Sequence, residues 1–283
     1  MKDKDKILII RMSALGDVAM SIPVIYSFAS QYPETSITVL TRPFFAKLFI
    51  NRPANINIKL INTNGEHKGF LGLMRIIREL YKEKFKYVAD IHNVLRSWII
   101  TFALGLTGAK TATVDKQRAN RYILVRKQNK DLRPQKSYIM RYIAVFERLG
   151  LPIRLNFTSL FAGNNSLPEM PSEIKDFLKN DTCVGIAPFA RYATKALPLN
   201  IMEQVVSTLS SENLRIFLFG AKGDEQTILE SWSNKYNNVF SIPGKASLEQ
   251  ELAIMGKMKV MLTMDSSNMH LASLVGTRVI SIW

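Results

Sequence analysis

"KILIIRMSALGDVAMSIPVIYSF", residues 6–28, is the stretch on which the fold turns. An apolar run at 7–11 reads as a strand, Ser13-Ala14-Leu15-Gly16-Asp17 breaks it, and helical spacing of apolar residues resumes, with a helix predicted over 22–31. Strand, tight turn and helix form the opening unit of a parallel α/β sheet. The acid in the turn is the open question. In a phosphate-cradling turn Asp17 would repel its ligand. It is therefore either a helix cap or a group that does chemistry on something else.

The alternation continues along the chain. Further strands are predicted at 37–41, 56–61, 87–91, 183–187, 215–219, 239–242, 260–263 and 278–282. Helices are predicted at 71–81, 95–106, 137–149, 201–210, 225–235 and 248–256. This pattern implies parallel sheets covered on both faces. Residues 161–171, "FAGNNSLPEMP", read as a linker. The expected domains are thus 1–162 and 172–283, two Rossmann-like units facing a cleft at the carboxyl ends of their strands.

Charge supports the same division. The 283 residues carry a net charge of +15, with +16 in residues 1–160 and −1 in 161–283. The excess is densest over 110–141 and points to an anionic partner of the first domain. No apolar run reaches the roughly 18 residues a spanning helix needs. The longest, residues 98–109, suits a buried helix. One cysteine, Cys183, supports no disulfide, and the start of the chain lacks a signal-peptide pattern, so the cytoplasm is the expected compartment.

Three later turns carry candidate binding groups. "GIAPFARYATKALPLNIM" places Arg191, Thr194 and Lys195 after a strand, where cations and a hydroxyl suit a diphosphate. "FLFGAKGDEQ" places Asp224 and Glu225 at a helix start, where they satisfy the helix dipole or bind a base or ribose. "VMLTMDSSNMHLASL" runs from a strand through Asp265, Ser266 and Ser267 into a helix expected from about Met269. Its first amides and hydroxyls suit an anion, while Asp265 suits sugar hydroxyls or a cation, and a plain N-cap explains the same residues. Asp3-Lys4-Asp5 precedes the first strand and is a poor metal-binding pair. His67 and His92 show only loop and helix-start positions.

Taken together, these stretches resemble glycosyltransferase family 9, the heptosyltransferases of lipopolysaccharide core assembly. Residues 7–28 are similar to that family's "ILIxRxSALGDVxxxxPxxxxL", and "DIHNVLRS" at 90–97 to its "DLQGLLRS". "APFARYATKALPLNIMEQVV" resembles "PGARWPTKRWPxExFAELA", and the last twenty residues resemble "NDTGLMHLAAALGTPVVALFG". The resemblance implies a GT-B arrangement of two Rossmann-like domains, with the C-terminal domain truncated at Trp283. It implies an inverting transferase that moves heptose from ADP-heptose to the anionic lipopolysaccharide core and needs neither metal nor cofactor. Asp17 falls at the general base. Thr194, Lys195, Asp224, Glu225, Asp265, Ser266, Ser267 and His270 fall on the donor side. Arg96, Arg118, Arg121 and Arg126 are the expected acceptor contacts, in the domain that also suits the inner face of the inner membrane. Ser267 replaces a family glycine, and Ala246 stands where a larger residue often touches adenine. A relative using another nucleotide sugar, and a non-catalytic binding protein, are therefore the alternatives. No nucleic-acid motif and no G-x-G-x-x-G turn accompanies any strand.

Overall fold

The computed structural model describes residues 5–163, 166–179, 182–212 and 214–283. Asp3 and Lys4 of the acidic pair, and residues 164–165 of the predicted linker, lie outside them. The chain divides into two units. The first holds the described residues up to Ala14 together with Met20–Phe157, and the second holds Leu15–Ala19 and Thr158–Trp283.

In chain order the first unit contains β1 (Lys6–Ile10), α1 (Leu15–Gln31, whose first turn belongs to the second unit), β2 (Ser36–Thr41), α2 (Pro43–Ala46), β3 (Ile56–Leu60), α3 (Gly69–Tyr81), β4 (Tyr87–Asp90), α4 (Leu95–Gly105), β5 (Lys110–Thr113), α5 (Arg118–Val125) and α6 (Tyr138–Leu149). Its sheet runs β3-β2-β1-β4-β5, every pair parallel. β1 is central, and Ile7, Leu8, Ile9 and Ile10 are all fully buried, as expected of a strand covered on both faces. β5 was not predicted. Its sequence, KTAT, is short and polar because it is the sheet's edge and only Ala112 is buried.

α1 starts at Leu15, seven residues before the predicted start. Pro23 explains the difference. It lies inside the helix, where it removes one backbone donor and reads locally as a start signal. Asp17 is therefore the third residue of the helix, an acid in its first turn, and not its cap.

The second unit contains α7 (Ser172–Phe177), β6 (Cys183–Ala187), a 3-10 turn (Ala193–Lys195), α8 (Leu199–Ser211), β7 (Arg215–Leu218), α9 (Asp224–Lys235), β8 (Val239–Ser241), α10 (Leu248–Met255), β9 (Val260–Met264), α11 (Ser267–Leu274) and β10 (Val279–Ile282). Its sheet runs β10-β9-β6-β7-β8, again all parallel. This unit begins before the predicted linker because Leu160 is buried and its N–H donates to Leu274 O at 3.1 Å. Ser159 Oγ likewise donates to Val275 O at 2.8 Å.

Gly185, in the middle of β6, allows Met261 of β9 to lie across the strand. A Cβ there would sit 2.0 Å from Met261 Sδ and 3.0 Å from Phe219 Cε2. Gly185→Val is expected to destabilise the second unit by about 1–3 kcal/mol through overpacking. Thermal unfolding followed by circular dichroism checks this, and an unchanged midpoint would show that Met261 swings aside at no cost.

Candidate functional site

In the second sheet the strand order reverses between β6 and β9, so the loops after these two strands flank the switch point where parallel sheets bind ligands. The β6 loop turns through Ala193–Lys195, where the Lys195 N–H donates to Tyr192 O at 2.9 Å. The Leu197 N–H reaches Met264 Sδ at 3.3 Å and ties this loop to the end of β9. The two loops also meet through charge: Lys195 Nζ donates to the Asp265 carboxylate in an ion pair. The Lys195 side chain is 46% exposed and that of Asp265 only 14%, so the lysine is the accessible partner.

Ser266 is the N-cap residue of α11, yet its side chain makes no capping bond. Its Oγ is buried without a hydrogen-bond partner. A hydroxyl beside the first amides of a helix can donate alongside them to one anion. Ser267 opens α11, two residues before the predicted start, and is half-buried. Thr194 is exposed on the 3-10 turn next to Lys195.

His270 lies one turn into α11. Burial holds its imidazole below the usual histidine range, and the carboxylates of Asp17 and Asp265 pull the other way. The net direction keeps the ring neutral at pH 7. Gly16 is the reason the ring fits: a Cβ at that position would sit 2.6 Å from His270 Cδ2. The glycine before Asp17 is thus a close-approach residue. Asp17, half-buried, His270, Asp265 and Lys195 form one neighbourhood of the second unit, assembled from α1, α11 and the loops after β9 and β6.

Asp224 and Glu225 stand at the carboxyl end of β7, the strand beside β6. Glu225 Oε2 accepts the Ala221 N–H at 2.7 Å and closes the β7–α9 loop, while Asp224 is exposed. Glu251, in the first turn of α10, was not anticipated. Burial pushes its carboxyl up to about 7, opposed by Lys222.

The first unit has its own switch point at the ends of β1 and β4. Asp90 organises the "DIHNVLRS" stretch there. Its Oδ1 accepts the N–H groups of His92 (2.9 Å) and Asn93 (2.8 Å), and its Oδ2 accepts the Ser97 hydroxyl (2.9 Å). Asn93 has φ 54°, a left-handed conformation that asparagine tolerates better than most residues. His92 is buried and its Nδ1 has no partner. Burial first, then Arg11, Lys116 and Arg42, pushes its pKa down to about 3. Arg11 donates to Ile91 O at 2.7 Å and Arg42 to Met12 O at 3.1 Å, which fixes both guanidinium groups near the strand ends. Position alone showed nothing of this cluster. His67 is also buried, and its Nδ1 accepts the Asn62 N–H at 3.0 Å. Of the four expected acceptor arginines, Arg96 donates to His67 O at 2.9 Å and so holds a loop. Arg118 and Arg121 are exposed on α5, and Arg126, half-buried just after it, donates to Asn129 O at 2.6 Å.

Among the described residues, no three His, Cys, Asp or Glu side chains are grouped to hold a metal. Among the described residues, no helix is long and apolar enough to cross a membrane.

A family model described as "Glycosyltransferase family 9 (heptosyltransferase)" matches residues 73–283. The lipopolysaccharide core heptosyltransferase OpsX of Haemophilus influenzae is 21% identical over 97% of this chain and 78% of its own length. Lipooligosaccharide heptosyltransferase 2 of the same organism is 23% identical, covering 98% of this chain and 82% of its own. Among solved structures, a family 9 glycosyltransferase from Veillonella parvula aligns over 99% of this chain and 80% of its own, with TM-score 0.75 and 17% identity. The E. coli heptosyltransferase WaaC with ADP aligns over 98% and 86%, with TM-score 0.69 and 17% identity.

Proposed function

The chain belongs to glycosyltransferase family 9, the heptosyltransferase family, and on that premise we propose that it moves heptose from ADP-heptose to the lipopolysaccharide inner core, with inversion and without a metal. The observation that carries this reading is the Lys195–Asp265 pair beside the buried, unpartnered Ser266 hydroxyl at the switch point of the second sheet.

In this reading the diphosphate of the donor takes Lys195, with Thr194, Ser266, Ser267 and the first amides of α11 completing its shell. Asp265 turns to the hydroxyls of the sugar, and Asp224 and Glu225 serve the nucleoside end. The acceptor hydroxyl oxygen attacks the anomeric carbon and its proton passes to the Asp17 carboxylate. The bond from that carbon to the diphosphate oxygen breaks, and its electron pair stays on the diphosphate. One displacement inverts the centre. Charge grows on the leaving diphosphate as the bond breaks, and fixed donors aimed at it lower the barrier. Neutral His270, close enough to Asp17 and Asp265 to feel both carboxylates, adds no counter-charge to them. Arg42 and Lys116, half-buried cations near the first switch point, suit an anionic acceptor sugar.

Ser267 and Ala246 favour a second reading, a family member that takes another nucleotide sugar. Calorimetry with ADP, UDP, GDP and NAD, in EDTA and then in magnesium, decides between them. ADP is expected to bind tightest, with an affinity indifferent to magnesium. Preference for UDP or GDP would move the donor, and binding of none would count against a working donor site.

A further inference from the structure

α4 presents an apolar ridge that nothing in its own unit covers. Leu95, Trp98 and Phe102, with Leu106 just after the helix, are spaced three, four and four residues apart and so share one helix face. All four are between 55% and 75% exposed. The opposite face, with Ser97, Ile100, Thr101 and Leu104, is the buried one. Between the ridge and Thr111 and Thr113 of the edge strand lies a groove of about 560 Å³. Isolated exposed apolar residues are ordinary, whereas a continuous ridge with a groove beside it marks an interaction surface.

The neighbouring segment supplies the charge. Trp98 Nε1 donates to Asn93 Oδ1 at 2.8 Å, and Asn93 Nδ2 donates to Val114 O at 2.6 Å, so the ridge is tied to the strand that leads into α5. On α5, Arg118, Arg121, Tyr122 and Val125 recur at helical spacing and all are exposed. Residues 110–136 hold nine Lys and Arg against two Asp, a net charge of +7. Such a face repels a second copy of itself. Aromatic and leucine side chains mixed with arginines match the boundary between acyl chains and anionic headgroups.

We propose that the face made by the α4 ridge, the β5 edge and α5 docks on an anionic lipid bilayer, with the apolar side chains at the acyl boundary and Arg118 and Arg121 on lipid phosphates. This stands independently of the reaction assigned above, and it gives those two arginines a partner other than the acceptor.

Co-sedimentation of the full chain with phosphatidylglycerol–phosphatidylcholine vesicles, and with phosphatidylcholine alone, tests it. Binding is expected only to the anionic vesicles and is expected to weaken with salt. Arg118→Glu/Arg121→Glu should lower the partition coefficient at least about five-fold for each cation removed. Trp98→Glu/Phe102→Glu should lower it more than about ten-fold at constant charge on α5. Retained ADP binding and an unchanged circular dichroism spectrum show that both variants fold. Brominated lipids should quench the emission of the native chain and lose that effect in Trp98→Phe. Vesicle binding that ignores both double variants, or that is equal on neutral lipid, overturns the proposal. So does capture of a DNA or RNA duplex in place of vesicles.

Discussion

Asp17→Asn is expected to lower turnover by about two to four orders of magnitude, the range that general-base catalysis contributes, while ADP affinity stays within two-fold of the native value. The carboxamide has the shape of the carboxylate and cannot take the proton. The fold should tolerate it. Asp17 is a first-turn acid on a long helix, and losing its interaction with the helix dipole costs about 0.3–1 kcal/mol. A second readout separates chemistry from structure. The Asp17 carboxylate raises the pKa of His270, so removing it should move that imidazole further below the ordinary histidine value, visible by NMR titration. Steady-state kinetics with donor and acceptor decide the main point: a normal kcat would leave Asp17 as a helix-terminus acid and nothing more.

Lys195→Ala is expected to weaken ADP binding about ten- to a hundred-fold, in line with losing a charge-assisted hydrogen bond. It should lower kcat as well, since a donor aimed at developing charge matters most in the transition state. The ion pair with Asp265 complicates the reading, because the variant also leaves a largely buried carboxylate without its cation. A double-mutant cycle with Asp265→Asn separates the two contributions. If Lys195→Ala and Asp265→Asn were simply additive for ADP affinity, and Lys195→Ala alone were neutral, the lysine would have no part in holding phosphate.

Much of this architecture was legible because local periodicity encodes it. The buried strands β1, β6 and β9 are apolar runs that end in turn residues, and each is visible in isolation. Asp17, Lys195 and Asp265 are proposed as site residues from the stretches that resemble family 9, each of which sits just beyond such a strand. What escaped was wherever burial and polarity part company. β5 is polar because it is an edge, and α1 looked interrupted because Pro23 carries a start signal inside a helix.

Chain order alone was enough for the alternation of strands and helices, the asymmetry of charge and the resemblance to family 9. Adjacency was not in it. Lys195 and Asp265 are 70 residues apart and meet only because β6 and β9 are neighbours in the sheet. His92 is pushed down first by its burial and then by Arg11, Lys116 and Arg42, which come from three different connections of the first sheet. The ring of His270 fits only because a residue more than 250 positions earlier is glycine. Periodicity is a property of neighbours along the chain. The order of parallel strands is set by how whole helices pack on both faces of a sheet, and it alone decides which strand ends share a site.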